Sequence, residues 1–352
     1  MKDHQFTSED RRLLHRILLD FIIAVVLFIP IIVCEFVIEP YQRGFFCSDE
    51  TIRYPFHENT MSILCVALLV IIIPIVIVIT VEYTRYYRCS RINKTCLLFG
   101  RKVPIWLAEF FKHASYLIFG GLLTYNATEV GKYTIGRLRP HFISVCQPQL
   151  ADGSTCDAPQ NIHRYVEAYT CVGIGYTPND LREARISFPS GHSCMIFYTM
   201  LYLIIYLQHK FTWRGSKFSR YFLQFALLML AWFTALSRIM DNYHHWSDVL
   251  CGCVLGIVGA LITTTFIVKD FCTPFLERVH VNLPRQDTST TLDEMTATMR
   301  AYTQSNGVGG DSPLNGESLS GDSAAPSLSN YQYCTKVSAS LQSHRPQAAL
   351  IR

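Results

Sequence analysis

A chain of 352 residues that is half hydrophobic and only 16% charged is too poor in charge for a soluble domain of that length, where about a quarter is usual. Its net charge of +4 implies no nucleic-acid partner. The apolar residues are gathered in blocks instead, and a bilayer core asks for roughly 20 of them per helical span.

Six such blocks follow one another at 17–38, 61–81, 106–128, 192–208, 219–237 and 248–268. The second and sixth are apolar almost throughout. The first carries Asp20, Pro30 and Glu35, and the third carries Glu109, Lys112 and Asn126. Polar groups in a span are costly and turn toward a bundle interior or a wet cavity, so those of the third could line the path of a polar headgroup. The fourth block is short for a span. The expected fold is all-α: a polytopic membrane protein whose six transmembrane helices, within 17–275, form a helical-bundle core. A polar segment, 1–16, precedes it, and no small-residue cleavage site follows the first block, so a cleavable signal peptide is not expected.

Loop charge gives the orientation, because Lys and Arg gather on the cytoplasmic side. Residues 1–16 carry Lys2, Arg11, Arg12 and Arg16. Loop 82–105 carries Arg85, Arg88, Arg91, Lys94, Arg101 and Lys102, and loop 209–218 adds Lys210, Arg214 and Lys217. Both termini are therefore expected in the cytoplasm, with loops 39–60, 129–190 and 238–247 outside or in a lumen. From about 285 the chain turns rich in Ser, Thr, Asn, Gln and Gly. Such a composition cannot bury a core, so 285–352 reads as a disordered cytoplasmic tail.

Cys47, Cys146, Cys156 and Cys171 fall on the oxidising side, where up to two disulfides and three connectivities are open. Cys89, Cys96 and Cys272 lie near the cytoplasmic surface, as free thiols or acylation sites.

Three polar clusters sit at span ends on the outer side: KYTIGRLRP with Lys132, Arg137 and Arg139; FPSGHS with Ser190, Gly191 and His192; and SRIMDNYHHWSD with Ser237, Arg238, Asp241, His244, His245 and Asp248. Their basic residues run against the positive-inside tendency, which an anionic ligand on that face explains. Lys and Arg can hold phosphate oxygens and stabilise charge as it develops. A Ser-Gly-His turn opening a helix adds a hydroxyl and backbone N–H groups aimed at an anion, and Gly191 lets the backbone come close. His244 and Asp248, four apart, share a helical face. The carboxylate can orient that ring as a nucleophile, and His192 is left as general acid. Spacing alone does not choose between His244 and His245.

The patterns K-x6-R-P, P-S-G-H and S-R-x5-H-x3-D resemble the three-part signature of the type 2 phosphatidic acid phosphatase superfamily. The longer runs PYQRGFFCSDETIRYP, KYTIGRLRPHF and HHWSDVL are similar to its animal lipid phosphate phosphatases, the insect Wunen-type members among them. The resemblance covers about 10–275. It implies His244 as nucleophile, Asp248 as its partner, His192 as acid, and Lys132, Arg139, Ser190, Gly191 and Arg238 as the phosphate pocket. It further implies no metal or other cofactor, homo-oligomers, a plasma-membrane location, and phosphatidate, lysophosphatidate, sphingosine 1-phosphate and ceramide 1-phosphate as substrates. The family's usual glycosylation sequon between the first two motifs is missing. The two sequons present, at Asn93 and Asn126, are badly placed for glycosylation.

Two rival readings have recognisable signatures. A catalytically silent lipid-phosphate-binding relative would be expected to lack His244, His192 or Lys132, and all three are present. A transporter would be expected to show inverted repeats and broken helices, and neither is legible.

Overall fold

The computed structural model describes residues 8–88, 95–98, 101–211 and 218–268. They belong to the unit Met1–Leu276. The expected tail, Cys89, Cys272 and the Asn93 sequon lie outside the described residues.

Each apolar block forms a long helix: α1 (Ser8–Phe36), α2 (Ile63–Arg88), α3 (Ile105–Ile135), and, after two short helices α4 (Phe142–Cys146) and α5 (Pro178–Glu183), α6 (Gly191–Lys210), α7 (Phe218–Met240) and α8 (Trp246–Ile262), which runs on as a π turn at Thr263–Ile267. Four stretches, Leu14–Phe36, Ile63–Tyr87, Phe218–Met240 and Trp246–Ile267, are long and apolar enough to cross a membrane. The other two expected spans, in α3 and α6, are helices with more polar side chains.

The polarity of α6 has a structural reason. Ile196, Tyr198, Met200, Tyr202, Leu203, Tyr206 and Leu207 are all at most 1% exposed, and they cover more than half of the helix's circumference. It is the central rod of the bundle, packed by α2, α3, α7 and α8. Shielded in this way, it can carry tyrosine hydroxyls that find partners in its neighbours, as Tyr198 does on the Leu117 carbonyl. By contrast, α1 exposes Phe21, Ile22, Val26, Phe28 and Ile29 on several faces, as a helix solvated by lipid would.

Small residues set how closely the rods approach. A Cβ at Gly252 would lie 2.5 Å from the Ser190 carbonyl oxygen, and one at Gly256 would lie 2.3 Å from that of Cys194. Glycine four apart on α8 therefore brings its backbone against α6. At the other end of the bundle Lys210 is buried, 3.3 Å from Glu109 and 3.7 Å from Glu82. Lys112 also pairs with Glu109. The amide of Asn126 donates to the carbonyls of Leu27 and Leu122. Glu109 and Asn126 thus join α3 to its neighbours and Lys112 pairs within α3, so these groups hold the bundle instead of lining a headgroup path: a buried charge is tolerable when paired.

The segments joining α1 to α2 and α3 to α6 fold together over the other end. The chain is mostly helical, as expected, and the cap adds antiparallel two-stranded ribbons: β1 (Phe45–Phe46) with β5 (Tyr165–Val166), and β4 (Pro148–Leu150) with β6 (Tyr169–Cys171). A third pairs β2 (Thr95–Leu98) with β3 (Arg101–Pro104) ahead of α3. Runs of two to four residues are too short to show period-two alternation in a sequence. Disulfides Cys47–Cys156 and Cys146–Cys171 staple the cap around Phe45, Phe142, Leu150 and Val166, which selects one of the three connectivities.

Candidate active site

The three polar clusters meet at the capped end of the bundle. The first is shaped by the end of α3. Gly136 adopts φ 57°, and its N–H caps the Lys132 carbonyl, a left-handed stop at which glycine has no steric cost. A Cβ there would also strike the Tyr41 carbonyl oxygen at 2.1 Å. Lys132 therefore stands on the last helical turn, and Arg137 and Arg139 follow beyond it. The Lys132 amine donates to Glu129 at 2.7 Å. Glu129 is buried and lies one turn back on the same face. Its spacing of three from Lys132 is the signal that could have revealed it.

The second cluster opens α6. Ser190 is the N-cap, accepting from the Ser193 N–H at 3.4 Å and from its hydroxyl at 3.0 Å. The next residue has no side chain, and a Cβ on Gly191 would sit 3.3 Å from the Lys132 amine. Backbone N–H groups and a lysine cation thus face the same small volume, an arrangement suited to an anion. His192 keeps Nε2 fully buried with no hydrogen-bond partner among the described residues.

The third cluster joins α7 to α8. Arg238 is fully buried. It donates from Nε and Nη2 to Ser237, from Nη2 to Asp241 at 2.9 Å, and from Nη1 to Asn59 at 2.8 Å. Four of the five N–H groups of a guanidinium are engaged, so Arg238 offers a ligand its charge and one donor. Arg139 is held at 3.1 Å by Glu183 and lies over the Tyr243 ring, and its Nε is buried without a hydrogen-bond partner.

The histidine–carboxylate arrangement differs from the expected one. Asp248 is the third residue of α8, and its carboxylate turns back to cap the helix, accepting from the His245 backbone N–H at 3.1 Å. That capping-box geometry brings it to the residue three before it, so the ring beside Asp248 is His245, with Nδ1 at 3.1 Å. Its remaining partners are Arg137 and the Ser187 hydroxyl. The reading of Asp248 as direct partner of His244 is corrected accordingly. His244 Nδ1 lies 2.7 Å from the Ser187 carbonyl oxygen and 3.5 Å from the Ser187 hydroxyl.

These contacts separate the two histidines chemically. A carbonyl can only accept, so His244 carries its proton on Nδ1 and keeps a lone pair on Nε2, for which the described residues supply no hydrogen bond. His245 faces the Asp248 carboxylate on one nitrogen and the Thr51 carbonyl oxygen, at 3.2 Å, on the other. Both ring nitrogens of His245 are thus turned toward protein oxygens. Burial first, then the charge of Arg139, holds His244 well below the ordinary imidazole range, against the opposing pull of the Ser187 carbonyl. The ring is neutral at physiological pH, as a nitrogen nucleophile must be. Arg139, His192 and Lys132 all act on it electrostatically, and Arg238, Arg139 and Lys132 act on His192. All eight residues expected in the site are thus brought to one end of the bundle. Arg137, Ser187 and Glu129 join them, and nothing in the sequence marked Ser187.

Among the described residues, one His-carboxylate group has ligand atoms close enough for a metal: Glu82, Glu109 and His113. It lies at the opposite ends of α2 and α3, with the Lys210 ammonium already beside both carboxylates.

Residues 111–272 match the PAP2 superfamily. A Drosophila melanogaster protein provisionally named as a phosphatidate phosphatase is 41% identical over 75% of this chain and 72% of its own. Phospholipid phosphatase 1 of Rattus norvegicus is 33% identical over 82% of this chain and 95% of its own. Phospholipid phosphatase 2 of the same species is 36% identical over 72% and 86%. No solved structure gives a significant match. The chain belongs to the PAP2 superfamily, in its animal lipid phosphate phosphatase branch, and its apolar helices make it a multi-pass membrane protein.

Proposed function

We propose that this protein hydrolyses lipid phosphate monoesters, with phosphatidate, lysophosphatidate, sphingosine 1-phosphate and ceramide 1-phosphate as the substrate class, through a phosphohistidine on His244. The observation that carries the reading is the His244 ring, with its Nδ1 fixed on the Ser187 carbonyl and with Arg139, His192 and Lys132 acting on it electrostatically. The phosphate oxygens lie among Lys132, Arg139, Arg238 and the N–H groups opening α6. Nε2 attacks phosphorus, and the N–P bond forms as the ester P–O bond breaks. The electron pair leaves on the ester oxygen, which takes a proton from His192. His192 then accepts a proton from water as the water oxygen attacks phosphorus. The N–P bond breaks, its pair returns to His244, and orthophosphate departs. Charge neutralisation comes from side chains, so no step calls for a metal.

Six spans, cytoplasmic termini and a site on the extracellular or lumenal face, in the plasma membrane, complete the proposal. Loop charge supports this orientation, as do two disulfides on the same end as the site, where an oxidising compartment favours them. The test is phosphate release from phosphatidate and lysophosphatidate by the detergent-purified protein in excess chelator. Wild-type activity should survive and His244→Ala should be inactive. Chelator-sensitive turnover, or an active His244→Ala, would overturn the mechanism.

A further inference from the structure

We infer that Ser187 is the positioning residue through which Asp248 acts on His244, an inference that rests on His244 being the nucleophile. The Asp248 side chain is completely buried and has no direct hydrogen bond to the His244 ring. Its contacts run to Arg137, to His245, and to the Ser187 hydroxyl at 2.6 Å. Ser187 is itself fully buried and touches His244 twice, through its carbonyl at 2.7 Å and its hydroxyl at 3.5 Å.

The roles of the two Ser187 oxygens follow from donor chemistry. The hydroxyl has one hydrogen, and a carboxylate oxygen at 2.6 Å claims it as a charge-assisted bond. The hydroxyl oxygen therefore turns its lone pairs toward His244 Nδ1–H, which it shares with the carbonyl. The chain of donors runs from His244 to Ser187 to Asp248. When Nε2 takes a phosphoryl group the ring becomes cationic, and the Asp248 carboxylate stands one hydroxyl away from it. The same residue thus fixes the tautomer through its backbone and transmits the stabilising charge through its side chain.

The backbone of Ser187 is well anchored for this task. Its N–H donates to the Arg137 carbonyl at 2.8 Å, and Arg137 in turn holds Asp248 and Ser247. Arg137 and Ser187 therefore brace the carboxylate from two sides.

A double-mutant cycle on the purified protein tests the inference, with kcat and KM measured on phosphatidate for wild type, Ser187→Ala, Asp248→Asn and the double variant. Ser187→Ala should lower kcat about tenfold or more, the scale of losing an outer hydrogen-bond partner of a working histidine. KM should stay within about twofold, because the phosphate-binding cations are untouched. In the double variant the serine change should add nothing to the loss from Asp248→Asn, since the link is already broken. A wild-type kcat in Ser187→Ala, or losses that multiply in the double variant, would overturn the inference. If Ser187→Ala does not stay folded, Ser187→Cys serves in its place, its thiol keeping the volume with a weak donor. An inactive His244→Ala beside an unchanged Ser187→Ala sinks this inference alone. An active His244→Ala sinks the site reading beneath it.

Discussion

The backbone N–H of Ser190 donates to the backbone carbonyl of Asp248 at 3.1 Å. This one bond fastens the first turn of α6 to the first turn of α8, and with it the Ser-Gly-His turn to the His244 loop. The two backbones can meet because Gly252 presents no side chain to the Ser190 carbonyl.

Gly252→Ala should separate those turns. Its new Cβ meets backbone rather than a flexible side chain, and overpacking of this kind costs about 1–3 kcal/mol. We expect a lower Tm in detergent together with at least tenfold lower phosphate release. Full activity would show that the joint tolerates a shift.

Lys210→Met should damage stability without touching the chemistry. Lys210 is 3% exposed and bridges Glu82 and Glu109 at the end of α6 away from His192. Leaving buried carboxylates without their cation costs roughly 3–5 kcal/mol. Thermal unfolding should shift down clearly, while the surviving folded fraction keeps its kcat. An unchanged Tm would mean that Lys112 and Arg85 suffice.

Acid should weaken the fold through two rings outside the spans. Burial, then Arg139, holds His141 down to about 3, against its bond to the Asn242 carbonyl, and His244 is lowered for the same first two reasons. Unfolded, both titrate near 6.5, so below that pH the unfolded chain binds more protons. Their stabilisation is complete above about pH 6.5 and is lost as the pH falls toward the folded values, by about 1.4 kcal/mol per pH unit and per ring. His141→Gln should flatten the fall of Tm between pH 6.5 and 4.5 by about one proton's worth. An equally steep fall would contradict this.

Reduction should disorganise the site from above. Thr51 faces His245, Asn59 holds Arg238 and Thr60 holds Asp241, and all three belong to the segment that Cys47–Cys156 staples. Closing loops with separations of 109 and 25 residues contributes roughly 3–5 kcal/mol each by chain entropy. A membrane-permeant reductant should lower both Tm and activity, with four new thiols titrated. Undiminished activity with all four thiols free would show that the bundle holds the site without its cap.

The sequence by itself determined the six apolar blocks, the three polar clusters at their ends, and the residue types that phosphate chemistry requires. Each of these is written in local spacing: about 20 apolar residues for a bilayer, glycine where α3 must stop, serine where α6 begins. The tertiary structure alone decided the partnerships. Which cysteines pair, that Lys210 ties Glu109 to Glu82, that Asn59 occupies Arg238, and that Asp248 reaches His244 through Ser187 all depend on backbones far apart in the chain meeting within a hydrogen bond's length. A spacing of four made His244 and Asp248 neighbours on an ideal helix. The actual helix begins one residue later, at the His245 cap, and that single residue decides which ring the carboxylate meets.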